Sequence, residues 1–189
     1  FLDDARQADM LIHVVDISGS TDLQGQHVNV GSHDPREDIK FVEEEFDYWF
    51  KQILEREWQK LSKEIEKKST KLADGITDRF SGLGVKVHEV HEVLQSLGLL
   101  TKKPTEWNDS DITKFAQTLR KKIKPMLIAA NKADLCKDLE ITNEIHRNRE
   151  IVNCSAETEL LLKKAAKANL IDYIPGNEKF VINKNVDIS

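Results

Sequence analysis

The stretch PMLIAANKADL, residues 125–135, decides how the rest of the chain is read. It begins as a short apolar run without polar alternation, the pattern of a strand covered on both faces in a parallel sheet. Asn131, Lys132, Ala133 and Asp134 follow at once. They therefore stand at the carboxyl end of the strand, the edge at which open α/β sheets bind their ligands.

Two other runs have the same character: MLIHVVD at 10–16 and EIVNCSA at 150–156. Helical segments lie between and after them, including ETELLLKKAAKANL from Glu157, so the order predicts an α/β fold built on a parallel sheet. FVIN at 180–183 reads as one more short strand.

Between the first and second strands lie residues 17–124, where a single crossover helix would serve. After a polar loop, Ile39, Val42, Phe46, Trp49, Phe50, Ile53, Leu54, Trp58, Leu61 and Ile65 recur at three- and four-residue steps. That spacing predicts one long amphipathic helix, on the order of 45 Å at about 1.5 Å per residue. Asp34 can cap it, Pro35 suits its first turn, and Glu37 and Asp38 complement its dipole. A second helix is expected from about Lys86 to Leu97, stopping at Gly98, and a third after WNDSD, capped by Ser110 or Asp109. Amphipathic helices between two strands must bury their stripes on each other, so the insertion reads as an antiparallel helical arm. Trp49 and Trp58 fall on its apolar stripe and are expected in its core.

The Asn-Lys-x-Asp loop has a definite chemical use. Guanine presents its ring N1 hydrogen and exocyclic amino group side by side, and the Asp134 carboxylate can accept both in one bidentate, charge-assisted pair. Adenine offers no such pair. Lys132 can lay its aliphatic stem over the base, and Asn131 can tie the loop to its surroundings and reach the purine edge. The third strand ends in Ser155 and Ala156, whose backbone N–H groups can donate to the guanine O6. The plainer reading of the same residues is a strand-to-helix loop whose Asn and Asp cap the next helix. Asp16, closing the first strand, is expected to orient the loop behind it.

Composition bounds the alternatives. With 39% hydrophobic and 32% charged residues the chain suits a globular protein with long solvated helices, and a net charge of −5 argues against a general nucleic-acid binder. Cys136 and Cys154 are its only cysteines and form no Cys-x-x-Cys, which fits a reducing cytoplasm. They read as small hydrophobes, with a reactive thiol as the alternative. No apolar run approaches the roughly 18 residues of a membrane span. His88 and His91 are three apart on a helix, but the sequence is not His-Glu-x-x-His and supplies no third ligand. Arg120, Lys121, Lys122 and Lys124, with Lys67, Lys68 and Lys71, form basic groups able to touch nucleic-acid phosphates or simply to make a solvated face. The chain opens on Phe1 in what reads as the tail of a helix, and is expected to be part of something longer.

NKAD, the Ser-Ala turn, the opening FLDDARQADMLIHVVD and the HDPREDI lead into the arm resemble the Obg-related GTPases of the YchF branch, in their archaeal form. The resemblance implies a partial P-loop G domain with an inserted helical, coiled-coil arm. It divides the chain into a guanine-reading half, residues 1–33 and 123–189, and an arm at 34–122. It implies binding of GTP or GDP with Mg2+, GTP hydrolysis by the intact protein, and a ribosome or ribosomal RNA as partner. Some members of the branch have altered Asn-Lys-x-Asp and accept ATP, whereas the intact Asp134 implies guanine. The chain has neither Gly-x-x-x-x-Gly-Lys-Ser/Thr nor an Asp-x-x-Gly followed by a switch helix, so the phosphate-binding half is expected upstream of Phe1 and a TGS domain downstream. No catalytic residue and no metal ligand is visible within it. The first strand, central in that family, would leave an open edge here, and self-association is the expected result. The competing reading is a non-enzymatic binding module in which the helical arm is the working part.

Overall fold

The computed structural model describes residues 5–56, 58–68, 70–136, 144–146 and 149–183. Strand β1 (Leu11–Asp16) leads through a loop into helices α1 (Pro35–Glu55), α2 (Trp58–Lys68), α3 (Leu72–Arg79), α4 (Val87–Ser96) and α5 (Asp109–Ile123). Strands β2 (Met126–Asn131) and β3 (Glu150–Asn153), helix α6 (Ala156–Lys167), and the short strands β4 (Ile171–Asp172) and β5 (Val181–Ile182) follow. The sheet order is β1-β2-β3. Leu11 N–H donates to the Pro125 carbonyl and Ile17 N–H to that of Asn131, a constant offset that marks β1 and β2 as parallel. The class is α/β, with a helical insertion between β1 and β2.

The chain divides into a helical unit, residues 1–12 and 39–127, and a second unit, residues 13–38 and 128–189, that carries the Asn-Lys-x-Asp loop. The helical unit has its own core: Phe50, Leu54, Trp58, Ile76, Phe80, Val90, Leu94, Phe115 and Leu119 are among the residues that pack together there. The Phe50 and Phe80 rings stack at 5.6 Å, and Trp107 lies between Trp58 at 4.8 Å and Phe115 at 5.6 Å. Trp58 belongs to this core, while Trp49 is half-buried against it.

Several expectations are corrected. The single long helix is two, α1 ending at Glu55 and α2 starting at Trp58. Neither Gly nor Pro marks the break, and the apolar stripe runs across it in phase, which is why periodicity alone joins them. Helix α3 was not foreseen. It has only eight residues, with Gly75 in the middle, a residue that weakens a helix by roughly 1 kcal/mol. The glycine serves close packing: a Cβ there would lie 2.9 Å from the Cδ1 of Ile65. Helix α5 is capped by Asn108 rather than by Ser110 or Asp109. Its Oδ1 accepts from Asp111 N–H at 3.0 Å while Asp111 accepts from Asn108 N–H at 2.8 Å, a reciprocal pair that fixes the start. Asp34 caps α1 as expected, its Oδ1 accepting from Arg36 N–H at 3.0 Å.

The strands are not covered on both faces. Ile12 and Val14 of β1 are 66% and 63% exposed and Val152 of β3 is 52% exposed, while Val15, Ile128 and Ala130 are buried. Successive strand residues point to opposite faces, so an apolar run places as many hydrophobes on an open face as on a covered one. β4 and β5 form a separate antiparallel pair, with Ile171 opposite Ile182 and Asp172 opposite Val181.

The basic run at the end of α5 is largely engaged within the helical unit. Arg120 is buried and paired with Asp47 at 2.7 Å, and Lys122 meets Glu92 at 2.7 Å. Lys124 is buried and donates to the carbonyls of Arg6 and Ala8. Burial holds its ammonium below the usual lysine range, with Asp9 opposing.

Phe115 is fully buried, so Phe115→Ala should destabilise the helical unit by about 3–5 kcal/mol, whereas Tyr48→Ala, at an exposed position, should change stability by less than about 0.5 kcal/mol. Chemical denaturation followed by circular dichroism measures both.

Candidate functional site

The second unit brings three segments together: the end of β1, the loop after β2, and the turn from β3 into α6. The first is organised by Asp16. Its carboxylate accepts from Ser18 N–H at 3.0 Å, Ser18 Oγ at 2.6 Å, Ser20 Oγ at 2.7 Å and Thr21 Oγ1 at 2.7 Å. The loop then folds back on itself, with Val28 N–H donating to the Ser20 carbonyl, Gly31 to that of Ser18 and His33 to that of Gly19. Gly19 has φ +62°, and a Cβ there would lie 2.2 Å from the His33 carbonyl oxygen, so only glycine fits. Asp16 thus orients the loop behind it, as expected from sequence.

Lys132 binds the second segment to the first. Its ammonium lies 2.6 Å from Asp16 Oδ2, 2.9 Å from Ser20 Oγ and 3.0 Å from Thr21 Oγ1. The residue adopts φ +60°, a left-handed conformation uncommon outside glycine, and its three polar partners hold it there. Partial burial would raise the Asp16 pKa, but the Lys132 ammonium, and after it Ser18, Thr21 and Ser20, hold the carboxyl well below the usual carboxylate range. The Lys132 head group is therefore committed to Asp16, and only its stem is available to a ligand.

Asn131 joins the second segment to the third, its Oδ1 accepting from Ala156 N–H at 3.0 Å. Backbone bonds run alongside it, from Cys154 N–H to the Ala130 carbonyl at 2.9 Å and from Ala133 N–H to the Cys154 carbonyl at 3.1 Å. Ser155 caps α6 by accepting from Thr158 N–H at 3.3 Å. The Asp134 side chain is exposed, with Thr158 Oγ1 donating to its Oδ2 at 3.4 Å. Asn131, Lys132, Asp134, Ser155 and Ala156 are thereby gathered at one sheet edge. The Ala156 N–H, expected to face a guanine O6, is engaged by Asn131 and would have to share that bond with a ligand.

Thr158, Ser18, Ser20 and Thr21 were not singled out from sequence. The signal available was a strand-ending Asp followed by a hydroxyl-rich Ser-Gly-Ser-Thr, a composition suited to side-chain-to-backbone turns. Cys136 and Cys154 are unbridged and half-buried, and burial pushes the Cys154 thiol up. Among the described residues no three His, Cys, Asp or Glu side chains are disposed to hold a metal, His88 and His91 included. The Asp16 carboxylate, with five donors on it, is not fitted to a cation either. Among those residues no helix is long and apolar enough to cross a membrane.

The Asp16–Lys132 pair sets an acid limit. A carboxyl whose folded pKa is lowered stabilises the fold fully above its unfolded value, near 3.9, and loses that contribution as pH falls below it toward the folded value. Denaturation at stepped pH should show a constant stability gap between the wild type and Asp16→Asn from pH 7 down to about 4, closing below it. A gap that narrows well above pH 5 would contradict the pairing.

Known proteins resemble this chain in sequence and in fold. Residues 129–189 match the family model described as Obg-like GTPase YGR210-like, G4 motif-containing domain. A GTP-binding protein of Methanocaldococcus jannaschii is 37% identical over 174 residues, which are 90% of this chain and 43% of that protein. One of Schizosaccharomyces pombe is 32% identical over 182 residues, 94% of this chain and 44% of the other. The crystal structure of a GTP-binding protein from Pyrococcus horikoshii OT3 superposes with a TM-score of 0.81 at 45% identity, covering 93% of this chain and 51% of that one. The chain thus spans about half the length of the relatives it matches. Over nearly all its length the chain is similar to GTP-binding proteins, and its residues 129–189 are similar to the Obg-like, YGR210-like G4 motif-containing domain.

Proposed function

We propose that this chain supplies the base-reading part of a GTP site and that the whole protein hydrolyses GTP. The observation that carries the reading is the exposed Asp134 carboxylate, which stands on a loop pinned on one side by Lys132 to Asp16 and on the other by Asn131 to Ala156. A carboxylate so placed accepts the N1 hydrogen and the amino group of guanine together. Adenine leaves it unpaired, a discrimination of roughly 1–3 kcal/mol. The Lys132 stem lies along the base, Asn131 meets the purine edge, and the Ser155–Ala156 backbone donates to O6, Ala156 by sharing its bond with Asn131.

In this reading the triphosphate and its Mg2+ are held by a Gly-rich phosphate loop elsewhere in the whole protein, as the resemblance to the YchF branch implies. The ion would neutralise charge on the phosphates. The described residues do not fit it, and none of them is assigned a step in hydrolysis. The helical unit is proposed as the part that meets a partner, a ribosome in the reading closest to the family. Its separate core supports an independent role and equally serves the second reading, in which this chain is a binding module. Self-association through β1 is supported by the exposed Ile12 and Val14 and is read by sedimentation at rising concentration.

Asp134→Asn in the full-length protein should weaken GTP binding by at least about tenfold and improve binding of xanthosine triphosphate, since xanthine replaces the amino donor by a carbonyl that an amide can match. Competition binding measures both. Unchanged guanine preference would remove Asp134 from the role.

A further inference from the structure

The turn into α6 carries two hydroxyls in series. Ser155, the cap, accepts from Thr158 N–H at 3.3 Å and donates its own proton to Thr158 Oγ1 at 2.9 Å. Thr158 Oγ1 donates in turn to Asp134 Oδ2 at 3.4 Å. The direction of this relay is set at its end. An ionised carboxylate only accepts, so the Thr158 proton is turned toward Asp134 and the Ser155 proton toward Thr158.

The relay does what the other ties in this site do not. Asn131 Oδ1 on Ala156 N–H, and Ala133 N–H on the Cys154 carbonyl, hold the backbone of the loop against the turn into α6. The Asp134 side chain is exposed and keeps torsions of its own, and Thr158 is the side chain that reaches it. A carboxylate offers about four lone-pair positions. Two donors lying side by side on a base would take one on each oxygen, and Thr158 takes a further one on Oδ2. The contact can thus orient the group without competing with the base. A freely turning carboxylate meets a single donor easily, but it meets two together only when its plane is held in theirs.

We propose that Thr158 is a positioning residue for base selection. Its hydroxyl holds the Asp134 carboxylate in the plane of the purine edge and, by tying it to α6, keeps it in register with the Ser155–Ala156 backbone. The inference rests on the reading of Asp134 as the guanine acceptor and adds a ligand class to it. Thr158 sharpens the choice of 2-amino-6-oxopurines over 6-oxopurines that lack the amino group.

The test measures GDP and inosine diphosphate on the full-length protein by competition binding, since inosine keeps the N1 hydrogen and lacks the amino group. Thr158→Val removes the hydroxyl at nearly constant shape. It should weaken GDP about fivefold and inosine diphosphate by less than about twofold, narrowing the ratio between them. Thr158→Ser, which keeps the hydroxyl, should keep the wild-type ratio. In an Asp134→Ala background, Thr158→Val should change the ratio no further. Equal weakening of both nucleotides by Thr158→Val would mark a merely structural role and overturn the inference, as would a Thr158→Ser variant that narrows the ratio as far as valine does. Should Thr158→Val not fold, Thr158→Ala reads the same ratio. A guanine preference lost in Asp134→Asn but a ratio unmoved in Thr158→Val overturns the inference alone, whereas a preference unmoved in Asp134→Asn overturns the base reading and this inference with it.

Discussion

The site in this chain depends on one ion pair, Lys132 to Asp16 at 2.6 Å. A lysine in a left-handed turn is a locally unfavourable choice, and it persists because Asp16, Ser20 and Thr21 together receive its ammonium. The same carboxylate folds the Ser18–Thr21 segment around itself. The pair joins the ends of two adjacent strands and sets where the following Asp134 stands. Asn131 adds the matching constraint on the other flank by holding Ala156. The base-reading role proposed for Asp134 needs both supports, because a lone exposed carboxylate on a free loop would lose in ordering entropy much of what a bidentate contact contributes.

The helical unit has a different logic. Its stability rests on an aromatic and aliphatic cluster, and a largely buried ion pair, Arg120 with Asp47, ties α5 to α1. Long helices with mixed-sign surfaces such as Lys51 with Asp109 and Lys122 with Glu92 contribute solubility and little stability.

Sequence made some of this visible and concealed the rest for physical reasons. The strands and the loop residues Asn131, Lys132 and Asp134 were legible because a short apolar run followed by polar residues of fixed type has few readings. The cap at Asp34 was legible because it depends on adjacent residues. The break between Glu55 and Trp58 was not, since the stripe stays in phase across it. Helix α3 was hidden by Gly75, a poor helix residue retained for its approach to Ile65. The burial of Arg120 and Lys124 was equally invisible, because their partners Asp47, Arg6 and Ala8 are distant in sequence.

The most direct measurement is a crystal structure of the full-length protein with GDP. The account predicts both Asp134 carboxylate oxygens within hydrogen-bond distance of the guanine N1 and amino group, with the Lys132 ammonium still on Asp16. A guanine seated away from Asp134, or a Lys132 released from Asp16 when nucleotide binds, would contradict it.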